Sequence, residues 1–504
     1  MRIEPGPMQI PAIRLTDRND RPLRPDGDFV VYWMNAARRT RSNFALQHAV
    51  DLCNRYGKPL VILEALRSGY QWASDRHHAF ILQGMRANRD AARKSTARYY
   101  GYVEPKNGEG KGLLEALGRS AVAIVTDEWP CFFLPRMVER AAAKLDVRLQ
   151  AVDSCGLLPL RAAPKAFSRA FDFRRFLQRE LPDHLGEQPV LNPLARLKSK
   201  RQPNIPREIL SRWPEAVSEP LLAGKSSALA DLPIDHGISI CEDEGGAVAG
   251  HRALSAFVSD RFARYADDRN HPDDCSASGL SPWLHYGHVG AHEVFEALTE
   301  HEDWDSSLIA NRSDGKADGW WGRSPALDGF LDELITWREL GLNFGHHRPA
   351  ELDQFQSLPS WSLQTMREHA GDERPAHFEL ETLAAAESSD PIWNAAQTEL
   401  LTTGRMHNYL RMLWGKLVLA WKPSYEEAAA DLIELNNRYA LDGRDPNSYS
   451  GIFWVFGRFD RAWGPERPIY GKLRYMTSKS TRTKLRLKGY LERFGREARQ
   501  GSLF

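Results

Sequence analysis

Apolar positions follow two rhythms along this chain, and the change of rhythm divides it. In the first third they form short unbroken runs: Phe29-Val30-Val31-Tyr32-Trp33-Met34, Leu60-Val61-Ile62-Leu63, Ala121-Val122-Ala123-Ile124-Val125-Thr126, and Val147 to Val152. Runs of this length, bounded by turn residues, predict buried strands. Between them the spacing predicts helices over about 43–56, ended by Gly57-Lys58-Pro59, and over about 135–144. Strands alternating with helices predict a parallel sheet with right-handed crossovers. From 251 onward apolar residues recur at i, i+3 and i+4 with no strand series, which predicts an all-helical region. Between 161 and 235 Pro, Arg, Ser and Glu dominate, as in Lys198-Ser199-Lys200-Arg201-Gln202-Pro203, with one helix near 167–180. The expected layout is a loose N-terminal arm over 1–27, an α/β domain over 28–160, a long linker over 161–235 and a helical domain over 236–504. No internal repeat of solenoid period is present.

Composition narrows the class. A chain of 504 residues exceeds what one core organises. No apolar run approaches the roughly 18 residues a membrane span needs. The N-terminus, Met1-Arg2-Ile3-Glu4-Pro5, has no charged-then-apolar secretory pattern. A cytoplasmic protein without membrane contact is expected. Cys53, Cys131, Cys155, Cys241 and Cys275 are scattered, odd in number and without a Cys-x-x-Cys pair. That argues against a disulfide framework, a zinc site or an iron–sulfur cluster, and no metal is expected. The α/β region lacks Gly-x-Gly-x-x-Gly, so no dinucleotide site is assigned there. Net charge is only +1, yet residues 466–504 carry eleven Lys/Arg against three Asp/Glu. That local surplus suits contact with phosphates, and a solvated basic tail has the same composition.

The stretch from Trp393 to Trp421 changes the picture most. It holds three tryptophans, Trp393, Trp414 and Trp421. Trp414 and Trp421 are seven residues apart, so on a helix they share a face roughly 10 Å apart at about 1.5 Å rise per residue. Arg411 joins that face, while Asn408 and Met412 define a neighbouring one. A row of indoles beside a polar cluster suits a redox relay next to a buried cofactor. It suits equally a helix that packs large aromatics into a core.

The strings themselves carry a resemblance. Thr403-Gly404-Arg405-Met406-His407-Asn408, continued by Leu410-Arg411-Met412, resembles the flavin-binding helix of the photolyase/cryptochrome family. Trp393-Asn394-Ala395-Ala396-Gln397 and Leu441-Asp442-Gly443-Arg444-Asp445-Pro446-Asn447 resemble class II cyclobutane pyrimidine dimer photolyases in particular. The resemblance is strong over about 236–480 and looser over about 28–160. It implies a Rossmann-like α/β domain with a parallel sheet, a long linker and an all-helical FAD-binding domain. It also implies light-driven repair of cyclobutane pyrimidine dimers by electron transfer from photoexcited reduced FAD, with UV-damaged DNA as partner and a monomeric protein. The first domain departs from relatives at Asp127-Glu128-Trp129-Pro130-Cys131-Phe132 and at Ser154-Cys155-Gly156. That face can house an antenna chromophore, a deazaflavin or a folate, in relatives, so an antenna stays an open expectation.

The resemblance also assigns residues. Ser and small residues ahead of a helix offer hydroxyls and free amides to a pyrophosphate at the positive end of the helix dipole, although Ser-x-Leu-Ser-Pro is also an ordinary helix cap. Tyr265, Ser278, Leu280 and Ser281 match flavin contacts, with Ala277 where relatives often carry Thr or Gln. Glu333 and Trp337, four apart, share a helix face. Glu333 matches the residue that bonds the dimer's base edge and supports its radical anion, and Trp337 packs on the lesion. Arg338 and Asn343 match flavin-side positions, and His346-His347 stands for a more usual Tyr-Asn, either as a proton donor or as polar filler. Asn408 and Arg411 face the flavin and Met412 the lesion. Asn436 matches the residue opposite flavin N5, where a carboxamide hydrogen-bonds the reduced, protonated nitrogen. Asp442 matches the partner of Arg411. Trp414, Trp393 and Trp421 match the relay, in that order outward from the cofactor.

Trp454, Arg461 and Trp463 offer an aromatic wall and a cation for a flipped dinucleotide, a device common to enzymes that act on bases, photolyases among them. The loop between the two tryptophans is one residue shorter than in relatives. Two rivals remain from sequence. One is a cryptochrome-like flavin photoreceptor without repair activity. The other is a helical DNA-binding protein with no cofactor.

Overall fold

A computed structural model describes residues 9–274 and 276–495. The chain divides into two compact units that do not follow sequence order. One comprises Met1–Pro164, Glu180–Leu254 and Leu280–Glu300; the other comprises Lys165–Arg179, Ser255–Gly279 and His301–Phe504.

The first unit is built on six strands: β1 (Leu15–Asp17), β2 (Phe29–Trp33), β3 (Leu60–Leu66), β4 (Arg98–Val103), β5 (Ala121–Glu128) and β6 (Leu149–Asp153). Their order across the sheet is β1-β6-β5-β2-β3-β4. All neighbours are parallel except β1, which runs antiparallel to β6. Every residue of β2 is buried, as expected for a central strand covered on both faces. The Phe44–Tyr56 helix starts at Asn43, whose side chain accepts from Leu46 N, and ends on Gly57 in the left-handed region.

The sheet departs from expectation at both edges. Within the arm over 1–27, residues 12–17 are tied down rather than loose. Arg14 is fully buried, donates to the Gly156 and Leu157 carbonyls, and leads into β1. Residues 1–8 of that arm lie outside the described residues. β4 was not foreseen, because Arg98-Tyr99-Tyr100-Gly101-Tyr102-Val103 has no apolar run.

The segment expected as a linker is not a free tether. Ile205, Ile209 and Trp213 join the hydrophobic cluster on one face of the sheet, and Trp213 Nε1 donates to Glu109 O at 2.8 Å. Residues 165–179, at its start, belong to the helical unit. There Asn343 spends both ends of its amide on them: Oδ1 accepts from Phe167 N at 3.0 Å and Nδ2 donates to Lys165 O at 3.0 Å.

In α/β sheets, ligands gather where the strand order reverses, outside the carboxyl ends of the strands. Here that place lies between β2 and β5, and the Asp127 side chain is hydrogen-bonded there to the backbone that follows β2. Asp127 is buried and accepts backbone N–H groups from Asn35, Ala36 and Ala37 at 2.8–3.0 Å and the Tyr32 hydroxyl at 2.8 Å.

The second unit is helical. Three of its helices meet at close range: Arg338–His347, Asn408–Trp421 and Pro446–Val455. A Cβ at Gly341 would stand 2.9 Å from the Pro446 backbone, and one at Gly415 would stand 2.5 Å from Val455 Cγ2. Glycine at these two points lets both helices approach the third. Among the described residues no helix is long and apolar enough to cross a membrane.

Candidate active site

The three relay candidates come together. Trp393, on the Pro391–Thr403 helix, stacks on Trp414 with ring centroids 6.2 Å apart and planes 8° apart. On its other side it meets Trp421 edge-on at 5.6 Å. Trp393 is therefore the middle of the chain of indoles, although it comes first in sequence. All three are buried, at 0%, 2% and 5% exposure for Trp393, Trp414 and Trp421. Trp393 Nε1 donates to the Trp414 carbonyl at 3.0 Å, and Trp414 Nε1 donates to Gln397 Oε1 at 3.0 Å.

On the same Asn408–Trp421 helix, Arg411 forms a fork with Asp442, with Nη2–Oδ1 at 3.0 Å and Nη1–Oδ2 at 3.3 Å. Such paired geometry fixes the plane of both groups. Asn408 is exposed and Met412 half-buried at the start of this helix.

Asn436 is 2% exposed, and its amide orientation follows from a neighbour. The Arg444 backbone N–H can only donate, and it donates to Asn437 Oδ1 at 2.8 Å. Asn437 Oδ1 is thus an acceptor, so the Asn436 atom 3.2 Å from it is the amide nitrogen. That nitrogen also donates to Ser448 Oγ at 2.6 Å. Asn436 Oδ1 makes no hydrogen bond among the described residues and is the atom left to accept one. Arg444 holds this arrangement from a left-handed backbone, φ 64°, which a non-glycine side chain adopts at a cost.

Glu333 and Trp337 stand on a π-helical segment, Asp332–Trp337, rather than the α-helix expected. Single π turns occur often at functional sites, where they re-aim side chains. Glu333 pairs with Arg269 at 2.8 Å, a partner that the sequence alone does not point to. Burial pushes the Glu333 carboxyl above its usual range against the pull of the Arg269 guanidinium. Tyr265, buried against Phe257 and Phe330, has its hydroxyl pushed up to about 12 by burial and by Glu333. Trp337 is half-buried and Arg338 buried.

Ser278 and Gly279 precede Leu280, which is buried, and Ser281, which is exposed and opens a helix of only five residues, Ser281–His285. Gly279 has φ 67°, and a Cβ there would lie 2.5 Å from Arg405 Nη1. His346 and His347 meet edge-on at 5.0 Å.

Trp454, Arg461 and Trp463 form a second aromatic group, and it is threaded with charge. Arg474 lies over both rings, 5.4 Å from the Trp454 centroid and 4.0 Å from that of Trp463. Arg461 covers Trp463 at 4.2 Å. Asp460 accepts from Trp463 Nε1 at 3.2 Å and from Arg474 Nε at 3.1 Å. Below Trp454, the fully buried Lys416 donates to Val455 O at 2.5 Å and lies 5.5 Å from the Trp454 ring. Burial pushes its amine down to about 7, with Asp460 opposing the shift. Neither Lys416, Arg474 nor Asp460 was singled out by sequence. Of the basic stretch, residues 496–504 lie outside the described residues.

The donor set matches what a flavin dinucleotide needs. A cation beside a glycine offers a place for phosphate, a guanidinium–carboxylate fork offers directed polar contacts, and Asn436 Oδ1 offers an acceptor for a protonated ring nitrogen. Among the described residues no group of His, Cys, Asp and Glu is placed to hold a metal.

Comparison with known proteins gives a consistent result. The chain is 31% identical over 485 residues to the deoxyribodipyrimidine photo-lyase of Methanothermobacter thermautotrophicus, covering 96% of this chain and 98% of that protein. It is 31% identical over 495 residues to the Arabidopsis thaliana enzyme of the same name, covering 97% and 92%. Its fold is similar to that of a bacterial class III photolyase from Agrobacterium tumefaciens, with TM-score 0.63 at 17% identity, covering 93% of this chain and 86% of that one. It is also similar to a Synechocystis cryptochrome, with TM-score 0.65 at 15% identity, covering 93% and 88%. No family model matches the chain.

Proposed function

The chain belongs to the deoxyribodipyrimidine photo-lyase family, and on that premise we propose how its residues divide the work of repairing cyclobutane pyrimidine dimers in DNA. It is a carbon–carbon lyase driven by light. We read it as class II-like, monomeric, and dependent on FAD. When bound, reduced FAD supplies a light-driven electron to the dimer and receives it back after the ring splits.

The protein's part is to bind, orient and exclude water. Arg411 and Asp442 hold each other in one plane on the flavin side, with Asn408 and Arg338. Asn436 presents an acceptor to a protonated N5, which favours the reduced ring over the oxidised one. Tyr265, Ser278, Leu280 and Ser281 complete the flavin contacts in this reading. Asn343 acts through residues 165–167, whose backbone it pins. Glu333, with its carboxyl raised by burial, bonds the base edge of the dimer, and Arg269 keeps it aimed. Trp337, Met412, Trp454 and Trp463 wall the flipped dinucleotide, and Arg461 meets phosphate or the vacated duplex. Trp414, Trp393 and Trp421 carry electrons to the flavin.

The observation that carries the flavin reading is the Asn436 amide, turned oxygen-outward by Arg444 through Asn437. The test is light-dependent loss of cyclobutane dimers from a defined oligonucleotide, using FAD-loaded, reduced protein. Loss under light and none in darkness is expected. A bound, reduced FAD that gives no dimer loss under light would overturn the reading.

A further inference from the structure

The hydrogen bonds of the three relay indoles differ, and the difference gives the chain a direction. An indole N–H only donates, so the Gln397 atom that faces Trp414 Nε1 at 3.0 Å is its amide oxygen. That orientation leaves Gln397 Nε2 buried without a partner, in a side chain with 0% exposure. A buried unsatisfied amide is costly and uncommon, so something holds Gln397 in this pose. The visible gain is the bond to Trp414. Trp393 Nε1 likewise donates to a neutral oxygen, the Trp414 carbonyl. Trp421 differs. Its Nε1 makes no hydrogen bond among the described residues and is not sealed from solvent.

We propose that Gln397 is a positioning residue for the relay: its amide oxygen holds the Trp414 N–H without taking the proton, so that the oxidised indole passes its hole outward instead of being trapped. This rests on the relay reading above. Trp414 gives one electron to the photoexcited, oxidised flavin and becomes a cation radical. An amide or carbonyl oxygen is a hydrogen-bond acceptor but far too weak a base to remove the Nε1 proton. The hole therefore moves on, as Trp393 gives an electron to Trp414 and Trp421 gives one to Trp393. At Trp421 the Nε1 proton leaves to water, which leaves a neutral radical there. An external thiol then returns one electron and one proton to Trp421. The hydrogen bond to Gln397 also strengthens as Trp414 becomes positive, so it eases that first oxidation.

Two substitutions separate these effects. Gln397→Met keeps the length of the side chain and removes the acceptor. Gln397→Glu keeps an acceptor and makes it a base. Flash illumination of DNA-free, FAD-loaded protein, with detection of tryptophan radicals by transient absorption and electron paramagnetic resonance, is the measurement. The wild type should end as a neutral radical on Trp421. Gln397→Met should form radicals about tenfold more slowly. Gln397→Glu should stop at a neutral radical on Trp414. In the cofactor-free protein, the Trp414 indole N–H resonance should shift in Gln397→Met, an effect independent of any photochemistry. If Trp393→Phe blocks formation of the radical on Trp421 while both Gln397 variants behave as wild type, the role of Gln397 is overturned and the relay stands. If Trp393→Phe leaves the Trp421 radical intact, the relay itself fails.

Discussion

Two of the tryptophan groups in the helical unit have opposite surroundings. Trp393, Trp414 and Trp421 are buried, touch one another, and give the two inner N–H groups to neutral oxygens. Trp454 and Trp463 are half-buried and covered by Arg461, Arg474 and Lys416. A cation over an indole is attracted to the intact ring and repelled by the oxidised one. The second group is thus poorly suited to lose electrons and well suited to stack on a base beside phosphates. The same residue type serves electron transfer in one place and recognition in the other, and its polar neighbours decide which.

The largest expected effect breaks the first group. Trp393→Phe should reduce photoreduction of the flavin to near background, because the middle carrier is gone. Trp454→Ala is next. Stacking on an aromatic contributes about 1–3 kcal/mol per base, so binding of dimer-containing DNA should weaken by roughly 5- to 150-fold, read by titration with a labelled oligonucleotide. Photoreduction in the same variant should stay within about twofold of wild type, since Trp454 is not one of the three indoles in contact.

How far these two groups were legible in sequence differs for a physical reason. The relay sits on two helices, and the seven-residue spacing of Trp414 and Trp421 was visible. That Trp393 lies between them came from the family resemblance and not from spacing, because it depends on how the Pro391–Thr403 helix packs. The Trp454 wall was visible as aromatics and Arg461. Lys416 was hidden in an apolar helix, and Arg474 came forward only as part of a basic run. Glu333 was found, but its partner Arg269 lies 64 residues earlier and its π turn has no sequence signature. In the α/β unit, strands with apolar runs were read directly. β1 escaped because three residues in a Pro-rich arm carry no pattern, and β4 because tyrosines alternate with Arg and Gly. Ile205, Ile209 and Trp213 escaped because three apolar anchors are diluted by charge and proline.

Smaller effects sharpen the contrast. Arg461→Ala should lower the salt dependence of DNA binding by about one phosphate contact and leave photoreduction unchanged. Lys416 gives a pH signature. Its amine is pushed down to about 7 by burial, below the roughly 10.4 of an unfolded lysine. Between those values the unfolded chain holds the extra proton, so this residue makes stability rise with pH across that window. Lys416→Met should therefore gain most relative to wild type below pH 7, and the difference should shrink toward pH 10 in thermal melts. A constant difference would show that Lys416 stays charged.

The most direct test of the division sets two variants side by side, each chemically reduced and loaded with FAD, in single-turnover repair of a cyclobutane thymine dimer under light. Trp393→Phe should repair at close to the wild-type rate, and Trp454→Ala should repair more slowly at subsaturating DNA. Slow repair by Trp393→Phe together with normal repair by Trp454→Ala would contradict the account.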